Sequence, residues 1–373
     1  MAPRSIEAMA AVTASARRRA LQPAYDLARR QVDQGTVPFA ILGVADRGGP
    51  VRVEAFGSPG GTRIGDDAVC LLASITKPIT ALGVLQLVEE GTITLDEPIG
   101  RWAPDLVNDA WAPITAWHVL THTTGIDDVD LESILRHGQG RIDLLHHLRA
   151  RPQVASPGTR FHYVSFTFDL LVEALARRTG EPYELGLRRR ILDPLGMTST
   201  TFDPPADGLE GRAAPVAMAQ PDGSFADDTG LVRAYTSLHL AGGGLWSSAD
   251  DLLRLGRAML GSGELDGTRV VSPAFLRLMT REVTVPRDAR GVGLGAHEDP
   301  LHAGHYALGW GRPGIASVAS PAAFGHGGVS GTRLWIDPSL DLAYVYLSGS
   351  WGMPREPIDM IEAAIYAGLS SVS

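Results

Sequence analysis

The chain has 373 residues, enough for one large domain or two sharing a core, and its 44% apolar and 20% charged content is that of an ordinary globular protein. A formal net charge of −9 argues against nucleic acid as a partner, because a phosphate backbone needs a basic face. One cysteine, Cys70, leaves no intramolecular disulfide and fits a reducing compartment. It lies in the apolar run 69–73, where a buried structural thiol is expected. The N-terminus is alanine-rich but lacks a sustained apolar segment, so we expect no signal peptide, no membrane span and a cytoplasmic location.

In chain order, apolar spacing predicts an amphipathic helix over 14–34, stopped at Gly35. Residues 39–45 read as a strand, Gly48, Gly49 and Pro50 as a turn, and 51–56 as a second strand. A helix is expected over 74–90, stopped at Gly91. Its apolar positions Ile79, Leu82, Leu85, Leu87 and Val88 are spread around the axis, so burial on most sides is expected. Pro78 falls near its first turn, where proline is tolerated. The stretch 92–235 is rich in helices and loops, with a strong helix at 166–178 ended by Gly180. Short helices follow at 252–260 and 273–280. The last third turns to strands at 332–337 and 342–347, joined by a turn at 338–340, and a closing helix at 356–369 puts Ile358, Ile361 and Ile365 on one face. Strands near both ends and helices between them imply an α/β (α+β) fold. Residues 14–73 and 236–373 would form one discontinuous domain and 74–235 a mainly helical one, with the active site in the cleft between them.

Of 33 lysine and arginine residues only Lys77 is lysine. Asparagine is also nearly absent, so composition is biased, but the bias accounts for the arginines and not for the surviving lysine. Arginine stays protonated in proteins, whereas a buried lysine can lose its proton and act as a base. Ser74 precedes Lys77 by three residues, one helical turn away on the same face, a spacing that can pair a nucleophile with its base. The competing reading makes Ser74 a plain helix N-cap. Two further stretches combine with this one: Tyr163-Val164-Ser165, and His326-Gly327-Gly328 just before the C-terminal hairpin.

With these three stretches the chain resembles the serine β-lactamase and penicillin-binding DD-peptidase superfamily, within it the class C-like branch of family VIII carboxylesterases and D-aminopeptidases. The resemblance runs from about residue 22 to 370 and includes the stretches 120–125, 194–197 and 242–251. It implies a β-lactamase/transpeptidase-like fold, an antiparallel sheet flanked by N- and C-terminal helices with an inserted all-helical domain. It implies Ser74 as nucleophile of a covalent acyl-enzyme, Lys77 as holder of its proton, and Tyr163 as a phenol that shares or relays that proton. Which of Lys77 and Tyr163 is the base in each step stays open. Ser165, His326, Gly327 and Gly328 would line the substrate, and the backbone N–H groups of Ser74 and of the strand at Val329 would form the oxyanion hole. No cofactor and no metal are implied. The partner is a small-molecule ester or amide, with the oligomeric state left open.

Penicillin-recognising relatives often carry lysine-threonine-glycine in the third box, where this chain has His326, a residue of variable charge. Arg333 could supply a cation instead or face solvent. Ser165 stands where many relatives have asparagine, and a hydroxyl has less reach than an amide. Both departures weaken the case for β-lactams and peptides and point to carboxylic esters. The alternatives are an acyltransferase on a small metabolite, a D-amino-acid-specific peptidase or amidase, a weak β-lactamase, and a non-catalytic binding protein on the same fold. His122 is read as capping local backbone. The cluster His297, Glu298, His302 and His305 lacks convincing metal spacing, as do Asp127, Asp128 and Asp130, and both are read as solvated loops. The runs Arg17–Arg19 and Arg188–Arg190 are read as solvated helix faces. Loops near 126–150, 203–235 and 285–305 are expected to shape the pocket.

Overall fold

The computed structural model describes residues 15–128, 140–227, 229–283, 306–314 and 317–371. The histidine cluster at 297–305, Asp130 and much of two pocket loops lie outside these residues.

Strands from both ends of the chain meet in one five-stranded antiparallel sheet. β1 (Ala40–Asp46) and β2 (Gly49–Phe56) come from the N-terminal side, and β3 (Phe324–Gly328), β4 (Thr332–Asp337) and β5 (Leu342–Leu347) from the C-terminal side, in the order β2-β1-β5-β4-β3. β1 and β5 join the two halves, with Leu42 opposite Tyr346 and Val44 opposite Tyr344. Side chains alternate across the pleat. Ala40, Leu42 and Val44 pack with α1 (Gln22–Asp33) and the C-terminal helix α5 (Glu356–Leu369). Ile41 and Ala45 face the larger apolar core on the other side, which continues into the helical stretch between the sheet halves. Covering both faces explains why 39–45 reads as an unbroken apolar run.

The helix that crosses the inner face is α4 (Ala249–Leu260), whose Ser248 Oγ accepts the Asp251 N–H at 3.2 Å as an N-cap. Asp251 Oδ2 in turn accepts from Ser199 N–H at 2.7 Å and Thr200 Oγ1 at 2.8 Å, tying the helical stretch to the helix start. Two glycines let helix and sheet approach. A Cβ on Gly43 would lie 3.0 Å from Leu253 Cδ1, and one on Gly256 would lie 2.8 Å from Ala343 Cβ. Gly256→Val is therefore expected to lower unfolding stability by about 1–3 kcal/mol, read as a reduced urea midpoint, because the strand methyl has nowhere to go.

Several elements differ from expectation. The first helix breaks at Leu21, just before Pro23, instead of running unbroken. The turn before β2 sits at residues 47–48, and Gly49 and Pro50 belong to the strand. Helix 252–260 starts three residues earlier, where Ser248 caps it. His326-Gly327-Gly328 is itself strand, β3, while Val329 lies in the turn after it and not on a strand. Helix Pro273–Thr280, the 332–347 hairpin and helix Glu356–Leu369 keep the expected bounds.

Candidate active site

Ser74 occupies a short 3-10 turn, Ala73–Ile75, that leads into α2 (Thr76–Glu89), so the α-helix itself begins two residues after the serine. Ala73 is held at φ 47°, a left-handed conformation that costs a non-glycine residue about 1–3 kcal/mol and persists only where surroundings enforce it. The surroundings do so. Ser330 Oγ donates to Leu71 O at 2.7 Å, Thr332 Oγ1 to Leu72 O at 2.9 Å, and Thr76 Oγ1 to Ala73 O at 2.8 Å. Leu72 N–H also donates to Leu245 O at 2.8 Å. In a 3-10 turn, side chains three apart eclipse. Ser74 Oγ accordingly lies 3.1 Å from Lys77 Nζ. The N-cap reading of Ser74 fails: Ile75 holds that position, with no side-chain cap, and the serine hydroxyl faces the lysine.

Lys77 is fully buried. Its ammonium also donates to Gly242 O at 2.7 Å and, at a longer 3.5 Å, to Ser165 Oγ. Gly242 must lack a side chain for this, since a Cβ there would fall 2.4 Å from Ser165 O. Burial pulls the Lys77 amine down from its ordinary 10.5 to about 7, against the partial support of Asp128 and Asp169. The amine is thus poised to exchange a proton near neutrality. Its Nζ sits 4.8 Å from the centre of the Tyr163 ring and 5.7 Å from that of Phe168.

Tyr163 is held by His122, whose ring stacks against it at 4.2 Å. His122 does not serve the backbone beside it, as expected, but a segment 42 residues away: Nδ1 accepts the Val164 N–H at 3.2 Å. With Nδ1 accepting, the proton must be on Nε2, which donates to the Tyr306 hydroxyl at 3.2 Å. Tyr306 then donates to His326 Nε2 at 3.1 Å, and His326 Nδ1–H donates to Gly327 O at 2.6 Å. Backbone groups of fixed polarity stand at both ends, so the chain is complete only with both imidazoles neutral. Burial, aided by repulsion from Lys77, agrees. It holds His122 well below its ordinary range and His326 down at about 3.

His326 is therefore no cation of variable charge. Arg333 supplies none either: it is buried and forks onto Asp359 at 2.9 Å and Glu362 at 3.1 Å of α5, away from solvent. Ser74, Tyr163, Ser165, Gly328 and Val329 are half-buried and Gly327 exposed. The end of β3 lies against the serine turn, since a Cβ on Gly328 would fall 2.2 Å from Leu72 O. Val329 turns its carbonyl to the Gly352 N–H at 2.8 Å. The structure thus gathers Ser74, Lys77, Tyr163, Ser165 and the 326–329 stretch around one opening.

Sequence reasoning missed Tyr306, Asp169 and the Gly242 carbonyl, and misread the partners of His122 and Asp128. Only the Gly242–Gly244 run carried a visible signal, as a place of close backbone approach. Cys70 is buried with its thiol pushed up to about 12, an unreactive structural sulfur. Among the described residues no three His, Cys, Asp or Glu side chains form a metal-binding group, and no helix is long and apolar enough to cross a membrane.

Esterase EstB of Burkholderia gladioli is 30% identical over 354 residues, covering 81% of this chain and 83% of its own. Protein Rv1367c of Mycobacterium tuberculosis is 33% identical over 359 residues, covering 86% of this chain and 87% of its own. The solved structure of EstCE1, described as a hydrolase with promiscuous acyltransferase activity, superposes with a TM-score of 0.76 at 20% identity, covering 95% of this chain and all of that one. The antiparallel sheet between terminal helices and the helix-rich middle of this chain are those of the β-lactamase and transpeptidase fold. The Beta-lactamase family model matches residues 25–368, nearly the whole described chain, and the chain belongs to that family.

Proposed function

We propose that this chain is a serine hydrolase that forms an acyl-enzyme at Ser74 and acts on carboxylic esters. The observation that carries the reading is the single lysine of the chain, fully buried, with Nζ 3.1 Å from Ser74 Oγ and its pKa drawn to about 7.

In the neutral amine two hydrogens serve Gly242 O and Ser165 Oγ, and the lone pair is left for the Ser74 hydroxyl. Lys77 takes that proton as Ser74 Oγ attacks the ester carbonyl carbon. The carbonyl oxygen gathers negative charge, and in this reading the N–H groups of Ser74 and Val329 receive it. Each such donor is worth about 10²–10³ in rate. The carbon–oxygen bond to the leaving alcohol then breaks. The alcohol oxygen takes a proton from the Lys77 ammonium directly or by way of the Tyr163 phenol, whose ring covers the amine. Water repeats the sequence in reverse to free the acid.

The preference for esters rests on charge. A β-lactam or a peptide terminus brings a carboxylate, and the two groups considered for it among the described residues are withdrawn: His326 is neutral and Arg333 is spent on α5. An uncharged ester makes no such demand. The esterase relative at 30% identity supports the same choice.

The test is intact-protein mass and turnover with a short-chain activated ester, a chromogenic cephalosporin and a D-alanyl amide, with Ser74→Ala beside the wild type. Ester turnover at least about 10²-fold above the other two is expected, since each good polar contact a site fails to provide costs about 1–3 kcal/mol. Faster turnover of the cephalosporin or the amide would overturn the ester reading. Added alcohol then separates hydrolysis from acyl transfer, because the acyl-enzyme is common to both.

A further inference from the structure

Two buried carboxylates stand behind the lysine. Asp169, on α3 (Thr167–Thr179), is fully buried; its Oδ1 accepts the Ala241 N–H at 2.8 Å, and its Oδ2 has no hydrogen-bond partner among the described residues. Asp128 is buried on a loop, and its Oδ2 accepts the Ser165 N–H at 3.3 Å. A buried carboxylate oxygen without a partner is costly and calls for an explanation.

Both acids end on the same amine by the same route. Asp169 holds the N–H of Ala241, and the carbonyl of the following residue, Gly242 O, takes one hydrogen of Lys77 at 2.7 Å. Asp128 holds the N–H of Ser165, whose own hydroxyl takes another at 3.5 Å. Thr80 Oγ1 pins the same segment from α2, donating to Ala241 O at 2.7 Å. We propose that Asp128 and Asp169 are positioning residues for the base: each fixes, through one backbone N–H, one of the two acceptors that orient the Lys77 amine, so that its lone pair points at Ser74. This rests on Lys77 being the base of the proposed hydrolase.

Their charge acts on the same group. The titratable and charged groups facing the amine are Ser74 on its own turn, Tyr163 from the second box, Asp128, Asp169, and His122 and His326, both neutral. Facing Asp169 are Lys77, Tyr183 and Arg141. Arg141 does not quench it by contact, because its guanidinium is engaged with Glu184 at 2.7 Å. Burial raises the Asp169 carboxyl to about 7 against the pull of Arg141, so it and the lysine exchange protons over the same range. Ionised, either acid favours the ammonium. Removing its charge therefore moves Lys77 to lower pH, and with it the acid limb of the rate profile.

The lone lysine makes this directly readable. Protein carrying lysine labelled with carbon-13 at Cε, and no added lysine, gives one Cε resonance, that of Lys77. Its titration reports the amine whether or not the enzyme turns over, so failure of the ester reading and failure of this one are separate results. The wild-type midpoint is expected near 7. Asp169→Asn and Asp128→Asn, which keep an acceptor for the N–H, are expected to lower it by about one unit each. Asp169→Ala, which loses the acceptor, is expected to cut kcat about 10-fold or more, with Asp169→Asn restoring most of it. An unmoved midpoint in either Asn variant, in a protein of unchanged circular dichroism, removes that residue from the proposal. Wild-type kcat in Asp169→Ala overturns the positioning role.

Discussion

Ser74→Ala is expected to reduce ester turnover by about 10⁴–10⁶-fold, the range seen when the nucleophile of a hydrolase is removed. It is also expected to leave the melting temperature within a few degrees of wild type. The two halves of this result come from different parts of the structure. In the proposed mechanism the Ser74 hydroxyl is the atom that attacks, and the Ser165 hydroxyl does not replace it: it is 3.5 Å from the same amine but not on the strained turn. The fold does not depend on it. Ser74 caps no helix, and Ala73 keeps its φ of 47° because Ser330, Thr332 and Leu245 hold the carbonyls and N–H around it. Intact mass after brief exposure to the activated ester should show an acyl adduct on the wild type and none on the variant. Wild-type turnover by Ser74→Ala would sink the mechanism outright.

Much of this site was legible from residue types, and the illegible part has one cause. Ser74, Lys77 and Tyr163 stand out because a lone lysine three residues after a serine is a local pattern. The 332–347 hairpin and helix Glu356–Leu369 are likewise set by local alternation and period, and they fold as read. The strain at Ala73 is not local: it is imposed by side chains more than 250 residues away, on the turn and strand after β3. His122 and Tyr306 are 184 residues apart, and neither has a motif that announces the other. Without its contact to Tyr306, His326 reads as a group of variable charge. With it, the imidazole is an acceptor on one side and a donor to Gly327 on the other, and burial keeps it neutral. Arg333 follows the same rule. Its fate is decided by Asp359 and Glu362 on a helix that the strand cannot foresee. Asp169 is the extreme case, since an acid early in an amphipathic helix ordinarily serves the helix dipole in solvent.

Lys77→Arg is expected to lose at least about 10³-fold in acylation, the scale of general acid–base catalysis by a positioned group, although it keeps the positive charge. A guanidinium does not give up its proton at any pH the protein survives, so it cannot take the one on Ser74. It is also too large for a fully buried site. Lys77→Met tests the same loss without the added bulk. In the wild type, kcat/KM for the activated ester should rise with pH through about 7 as the amine becomes neutral, and the acid limb should vanish in the residual activity of Lys77→Met. Stability gives an independent reading of the same group. Its folded pKa, near 7, lies below the unfolded 10.5, so between those values the unfolded chain binds more protons and stability rises with pH. Burial of Lys77 thus costs most below pH 7, by a few kcal/mol at the most, and the cost is gone above 10.5. Relative to wild type, Lys77→Met should be most stabilised at pH 6 and lose that advantage toward pH 10. A stability difference between the two proteins that does not change with pH would mean the amine is charged in the folded protein throughout, and no base for Ser74.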